Sequence, residues 1–154
     1  MKAPKEWSAE AALDYARTLC SRAEYAPDEV RQRLIRRGLH SADIERIIDR
    51  LTDERYLDEA RFAGAFVRSK VEYAGWGRRK IAAALAQKRI PRAIVAEALA
   101  AIDQKVYTER LQAVVDAARR RDPDPDSYEG RTRIFRHAAS RGFEPDLIAQ
   151  HLKN

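Results

Sequence analysis

The sequence has few of the cysteines and long apolar runs that mark disulfide-bonded and membrane proteins. Among its 154 residues there is one cysteine, Cys20, so no internal disulfide forms. We expect that side chain to act as a small hydrophobic residue on a helix face. No apolar run approaches the roughly 18 residues of a membrane span, and the opening MKAPKEWSAE lacks the apolar centre of a signal peptide. We therefore expect a soluble, cytoplasmic protein with no membrane partner.

Residues that favour sheets and turns are also scarce. Aromatic residues make up 8% of the chain, and glycine and proline number six each. Charged residues reach 35% and hydrophobic residues 45%, an excess of helix formers that still leaves enough apolar surface for a core. This composition predicts an all-α protein.

The sequence also lacks the groupings that usually carry catalysis. The histidines, His40, His137 and His151, do not have the paired spacing that zinc sites need. There is no phosphate-binding glycine loop and no evident Ser-His-Asp or Cys-His grouping, and the carboxylates are scattered. We expect no catalytic residue, no metal and no cofactor, and hence a protein that is not an enzyme.

What the sequence does contain is a repeat. A displacement of 51 positions superposes the apolar residues of 30–51 on those of 81–102, and a displacement of 104 superposes them on the C-terminal segment. The first displacement pairs Val30 with Ile81 and Leu39 with Ile90, and the second pairs Val30 with Ile134 and Leu39 with Phe143. A register kept over two displacements is typical of stacked repeats.

Each copy divides into three amphipathic segments separated by helix signals. Pro27 opens a second helix that Gly38 stops, Ser41 is the expected cap of a third, and Asp58 is the expected cap of the next copy. We predict three tandem three-helix, helix-turn-helix-like repeats at 7–57, 58–105 and 106–154, with about nine helices in an elongated, curved rod. The segment 122–130, with two prolines and several acids, cannot continue a helix and is predicted to be a mobile connector.

Charge is unevenly distributed among these repeats. Residues 1–58 hold 11 basic and 12 acidic residues, 59–106 hold 10 and 4, and 107–154 hold 9 and 8, so the middle repeat alone accounts for the net charge of +6. Within it, the stretch 73–96 contains six cations and no acid. These candidate binding residues are Arg78, Arg79, Lys80, Lys88, Arg89 and Arg92.

The first three cations fall in the first turn of a helix, where the helix dipole disfavours positive charge by a few tenths to about 1 kcal/mol each. That placement favours a basic surface for a polyanion, either a phosphate backbone or an acidic protein groove, over a surface that only aids solubility. The helix-turn-helix-like pattern also leaves open a protein that binds DNA by itself.

Four segments carry a family resemblance: RYLDEARFA at 55–63, GWGRRKIAAALAQKRI at 75–90, RRGLHSADIERIIDRL at 36–51 and SRGFEPDLI at 140–148. Together they resemble the RecX family, bacterial regulators of the RecA recombinase, over nearly the whole chain. Arg89 departs from the pattern, because many members of the family have glycine at that position.

The resemblance implies a protein that lodges in the groove of RecA filaments on single-stranded DNA and inhibits strand exchange, ATP hydrolysis and coprotease activity. The partners it implies are the RecA filament and single-stranded DNA, bound weakly or through the filament, with the regulator expected to be a monomer. The alternative is a stand-alone helix-turn-helix-like DNA-binding protein. The two differ in whether tight binding requires the recombinase.

Overall fold

A computed structural model describes residues 7–153, and within that range the chain is helical with no strand. Most of the opening MKAPKEWSAE lies outside these residues. The α-helices are α1 (Ala9–Arg22), α2 (Pro27–Arg36), α3 (Ser41–Asp53), α4 (Glu59–Ser69), α5 (Arg78–Gln87), α6 (Arg92–Ala100), α7 (Gln104–Arg121), α8 (Tyr128–Ser140) and α9 (Pro145–Leu152). The first module comprises α1–α3, the second α4–α6 and the third α7–α9. The predicted all-α class is confirmed.

Side-chain caps begin several of these helices. Ser8 accepts a hydrogen bond from the amide of Ala11, Asp58 from that of Arg61, and Asp103 from that of Val106, so each satisfies an amide that has no partner within its helix. The cap expected at Ser41 is wrong by one residue. Ser41 is the first residue of α3, and His40, which precedes it, makes no side-chain capping bond.

The structure keeps the repeat register at several equivalent positions. Val30, Ile81 and Ile134 are all buried, at 1%, 0% and 1% exposure. The turn before the last helix of each module has a left-handed backbone at the equivalent position, with φ of 81° at Gly38, 60° at Arg89 and 97° at Gly142. The helices that follow begin at equivalent residues, because the two displacements of 51 and 104 hold through the turn.

The three modules share two cores rather than three. One cluster is built from the first module, between Ala12 and Leu57. The other joins the second and third modules, from Phe62 to Ile148, and also takes in Ala26 of the first module. The second and third modules are thus one packed body, to which the first module is joined.

One element, a π-helical segment at Lys70–Ala74 that continues α4, has no signal in the sequence. It ends at Gly75, whose left-handed φ of 65° stops the helix, and the amide of Trp76 donates back to the carbonyl of Lys70. π-helical turns are rare and often mark functional positions.

The connector between α7 and α8 interrupts the helix as expected, but it spans only residues 122–127 and is held in place. Asp122 accepts two hydrogen bonds of 2.9 Å from Arg133, and Arg119 donates to Asp126 at 2.7 Å. The loop also lies directly against Gly130 in α8, where a Cβ atom would collide with the carbonyl of Asp124. Two acids of the loop, Asp122 and Asp126, thus bind arginines, and this anchoring argues against a freely mobile connector.

Acid should release this anchor. The Arg133 guanidinium, with a smaller contribution from the Asp124 amide, lowers the pKa of Asp122 from 3.8 to about 2. A carboxylate whose pKa is lower in the folded state than in the unfolded state stabilises the fold. This stabilisation is complete above the unfolded-state pKa and is lost as the pH falls towards the folded-state pKa. We expect the unfolding free-energy difference between the wild type and Asp122→Asn to be constant above about pH 5 and to shrink between pH 4 and 2. Urea titrations across that range measure it, and a difference that grew on acidification would contradict the assignment.

Candidate functional site

The six candidate cations lie between the first residue of α5 and the first residue of α6, and α5 connects the other two modules. At its C-terminal end, Lys88 pairs with Glu29 of α2 at 3.0 Å, and Arg89 approaches Asp28 at 3.8 Å. Glu29 also accepts a hydrogen bond from the amide of Ala26 at 2.9 Å, so it caps its own helix while binding the next module. This end of the run is a joint between the first and second modules.

A second joint lies at the N-terminal end of α5. The amides of Gly77 and Arg79 donate to the carbonyls of Arg141 and Gly142 in the third module, at 2.8 and 3.0 Å. A Cβ atom on Gly77 would lie well under 3.0 Å from backbone atoms of Gly142 and Phe143. Glycine is therefore required, because the two backbones touch here. The end of α8 caps the start of α5, which has no side-chain cap of its own.

Arg78 completes this joint. Its guanidinium donates to Glu144 at 2.8 Å and stacks on the Tyr107 ring at 3.9 Å from the ring centre. The Tyr107 hydroxyl accepts from the Arg78 amide and donates to Glu144. Burial, followed by the bond to Glu144, raises the pKa of Tyr107, so the phenol stays protonated as this network needs. The cation in the first turn is thus offset by a carboxylate from the third module.

Two lysines flank the aromatic residue at the same joint. The ammonium groups of Lys70 and Lys80 lie 4.6 and 4.4 Å from the centre of the Trp76 ring, within the range of cation–π attraction. The ring itself packs edge-on against Phe66 at 6.4 Å and borders the second core. Trp76, which the displacement of 51 aligns with Tyr25 of the first module, therefore packs between helices.

The six candidate residues consequently differ in their surroundings. Although the stretch 73–96 contains no acid, Arg78, Lys88 and, at a longer distance, Arg89 have carboxylate partners, because these partners lie in the neighbouring modules. Asp28 and Glu29 of the first module take part in these pairs. Arg79 and Arg92 are exposed and have no ion pair within residues 7–153, and Lys80 is half-buried over Trp76.

Arg89 is one of two exposed arginines with a left-handed backbone, the other being Arg55 at the end of the first module. The side chain of Arg89 is 78% exposed, yet its backbone is left-handed, a conformation that costs a residue with a Cβ roughly 1 kcal/mol. The equivalent residues of the other modules are Gly38 and Gly142, which adopt it without that cost. Arginine at this position lowers local stability and presents its guanidinium to solvent. Backbone strain of this kind is often found at functional sites.

The remaining reactive side chains have structural explanations. Burial and the nearby Glu24 raise the pKa of the half-buried Cys20 to about 11, which leaves a protonated thiol of low nucleophilicity. No three His, Cys, Asp or Glu side chains between residues 7 and 153 are grouped as metal ligands. Across the same residues, no helix is long and apolar enough to cross a membrane.

Together, these features define a tandem repeat protein of three-helix modules with a basic face on the middle one. Family models match two of the modules: the first three-helix domain of RecX at residues 12–51 and the second at 58–99. Regulatory protein RecX of Vibrio campbellii is 33% identical over 153 residues, which cover 99% of this chain and 94% of that protein. The Pseudomonas putida protein of the same name is 33% identical over 139 residues, 89% of this chain and 86% of its own length. The chain belongs to the RecX family.

Solved structures agree with the fold. The crystal structure of RecX from Lactobacillus salivarius superposes with a TM-score of 0.83 over 94% of both chains, at 23% sequence identity. A second crystal structure of a regulatory protein RecX also reaches 0.83, over 95% of this chain and 74% of the other, at 16% identity. The order of helices is thus preserved where most side chains differ.

The joint at Arg78 yields a test by charge exchange. Arg78→Glu should lower the free energy of unfolding by about 2 kcal/mol, because it removes a charged hydrogen bond from a site only 26% exposed and sets two carboxylates against each other. Glu144→Arg in the same chain should restore at least half of the loss. Arg79→Glu, the matched control on the neighbouring residue, should change stability by less than about 0.5 kcal/mol. Urea unfolding measures all four proteins, and equal effects at residues 78 and 79 would contradict the joint.

The left-handed turn yields a second test. Arg89→Gly should raise the free energy of unfolding by about 0.5–1 kcal/mol, since glycine relieves the strained backbone. Arg89→Ala, which removes the guanidinium but keeps the Cβ, should not. Thermal and urea unfolding distinguish these results, and a less stable Gly variant would show that the Arg89 side chain contributes more than its backbone costs.

Proposed function

We propose that this protein is a cytoplasmic, non-catalytic regulator that binds in the groove of RecA filaments on single-stranded DNA. By occupying the groove it inhibits strand exchange, ATP hydrolysis and coprotease activity. Membership of the RecX family supports the class of function. The observation that supports a contact surface on the second module is its set of exposed cations, Arg79, Arg89 and Arg92.

These three arginines lie on the one module with a large positive net charge, and none has an ion pair shorter than 3.8 Å among the described residues. Arg89 keeps a backbone conformation that glycine would adopt at lower cost. Exposed cations that contribute little to folding remain available for acidic side chains or phosphates of a filament.

The joints between modules support a mechanism that requires no chemistry. Because Gly77 contacts Gly142 and Lys88 binds Glu29, α5 fixes the spacing of the modules on either side of it. A ligand of fixed length that contacts several subunits gains avidity from many weak contacts. It inhibits when its bound form excludes a second DNA or holds the subunits in one conformation.

Charge reversal of two free arginines tests the contact surface. Arg79→Glu with Arg92→Glu should weaken inhibition of RecA ATP hydrolysis at least tenfold in the required protein concentration, because attraction becomes repulsion. The fold should be unchanged, since neither residue has an ion pair among residues 7–153 and Glu at residue 79 suits the helix dipole better. The measurement is inhibition against protein concentration, with circular dichroism and urea unfolding as checks on folding.

The matched control is Arg22→Glu with Arg36→Glu. Both arginines are exposed, neither is ion-paired among the described residues, and both belong to the first module, which has a net negative charge. The control makes the same change in charge and should retain most of the inhibition. Equal loss in the two variants would mean that overall charge, not this surface, is responsible.

A capture experiment separates the regulator from a stand-alone DNA-binding protein. Immobilised protein should retain RecA strongly when single-stranded DNA and a non-hydrolysable nucleotide are present, and weakly without them. Binding to naked DNA as tight as binding to the filament would favour the stand-alone alternative.

A further inference from the structure

A groove at the junction of the second and third modules is separate from the six candidate residues. It runs between the π-helical segment and one face of α7 and has a volume of about 360 Å³. Its floor is made by small apolar side chains of α7, namely Ala113, Val114 and Ala117. Apart from Tyr73, no apolar side chain larger than valine lines the groove.

Arginines line this groove at both ends and on its wall. Arg110 and Arg121 are eleven positions apart on α7, about 16 Å along the helix axis. Arg141 lies on the wall, where its guanidinium donates to the carbonyl of Ala74. None of the three has an ion pair within residues 7–153, and Glu72 is the one carboxylate that lines the groove.

Two of these arginines act on a histidine that also lines the groove. Burial lowers the pKa of the His137 imidazole, and the positive charges of Arg121 and Arg141 lower it further. Unlike burial, which disfavours any charge, these two guanidinium groups favour an anion beside them.

An aromatic side chain borders the groove in an unusual position. Tyr73 is 86% exposed, the highest exposure among the large hydrophobic residues that stand out on the described surface. It belongs to the π-helical segment, which the left-handed Gly75 terminates. The fold does not bury this ring, which is exposed to solvent at a groove that three arginines also line.

We propose that this groove binds a short stretch of single-stranded nucleic acid, with Arg110, Arg121 and Arg141 contacting phosphates and Tyr73 stacking on a base. A positively charged channel with an exposed aromatic ring is the arrangement by which proteins bind single strands without sequence preference. The inference rests on the proposed function and deepens it, because it assigns the contact with DNA to a different surface from the contact with the recombinase.

The shape of the groove favours a nucleic acid over an acidic peptide. A peptide bound with useful affinity buries anchor side chains in pockets, and the floor of Ala113, Val114 and Ala117 provides none. A single strand needs only a charged path and a face for stacking. The distance of about 16 Å between Arg110 and Arg121 accommodates a few nucleotides.

The test uses the purified full chain, with no recombinase present, and a fluorescent oligothymidylate of about 20 nucleotides. Fluorescence anisotropy at a series of salt concentrations gives both the affinity and its salt dependence. Arg110→Gln with Arg121→Gln should weaken binding about tenfold and make the log–log salt slope shallower by about 1.4, since each phosphate contact contributes about 0.7. Tyr73→Ala should weaken binding at least fivefold with an unchanged slope, and Tyr73→Trp should restore it.

The matched control is Arg120→Gln with Arg136→Gln, which removes the same charge from exposed positions that do not line the groove. It should keep affinity within about twofold of the wild type. Equal loss in control and groove variants, or no binding of the oligonucleotide by the wild type, would overturn the inference. Groove variants that bind the oligonucleotide normally but are no longer captured by filaments would overturn it in favour of a protein contact.

Failure of this inference can be distinguished from failure of the proposed function. Inhibition of RecA by the wild type, and its loss in the Arg79 and Arg92 double reversal, test the regulator itself. If inhibition depends on those arginines but the groove variants behave as the wild type in every assay, the proposed function is supported and the groove inference is overturned.

Discussion

The structure depends on a contact between two stretches of backbone. Gly77 and Gly142 approach so closely that neither tolerates a side chain, and the amides at the start of α5 donate to the carbonyls at the end of α8. Unpaired amides at a buried helix start are costly, so α5 is complete only when the third module is in place. Arg78, Tyr107 and Glu144 then secure the same contact.

This dependence changes the meaning of the basic run. The stretch 73–96 is a single block of positive charge in the sequence, but on the molecule its two ends serve as joints. Lys88 and Arg78 bind carboxylates of the first and third modules, and Arg79, Arg89 and Arg92 project into solvent. Structural and exposed cations thus lie close together between the starts of α5 and α6, and only the exposed ones are available to a partner.

Much of the fold was predictable because the repeat determines it. The burial of Val30, Ile81 and Ile134 and the start of α6 at residue 92 follow from a constant displacement of apolar residues and turns. The partners of the basic residues were not predictable in this way. Lys88 and Glu29 are 59 positions apart, and Arg78 and Glu144 are 66 apart. Counting charges within a module cannot reveal pairs that form between modules.

The second surface was missed for a different reason. Arg110, Arg121 and Arg141 lie in a module whose acids nearly balance its bases, so composition gave no signal. Their common groove appears only when α7 packs along the π-helical segment, and no rule of sequence periodicity predicts that segment. Local geometry, here the exposure of Tyr73, was the feature that revealed it.

The division into two cores bears on how the chain folds as it leaves the ribosome. The first module closes its own core with residues up to Leu57, so it can fold once that stretch has emerged. The second cannot follow at once, because Tyr107, Gly142 and Phe143 have yet to be synthesised. Its apolar face and uncapped helix must wait for almost the last residues of the chain. A nascent protein stalled near residue 105 would thus expose the surface that the finished one hides, and would be a natural substrate for chaperones.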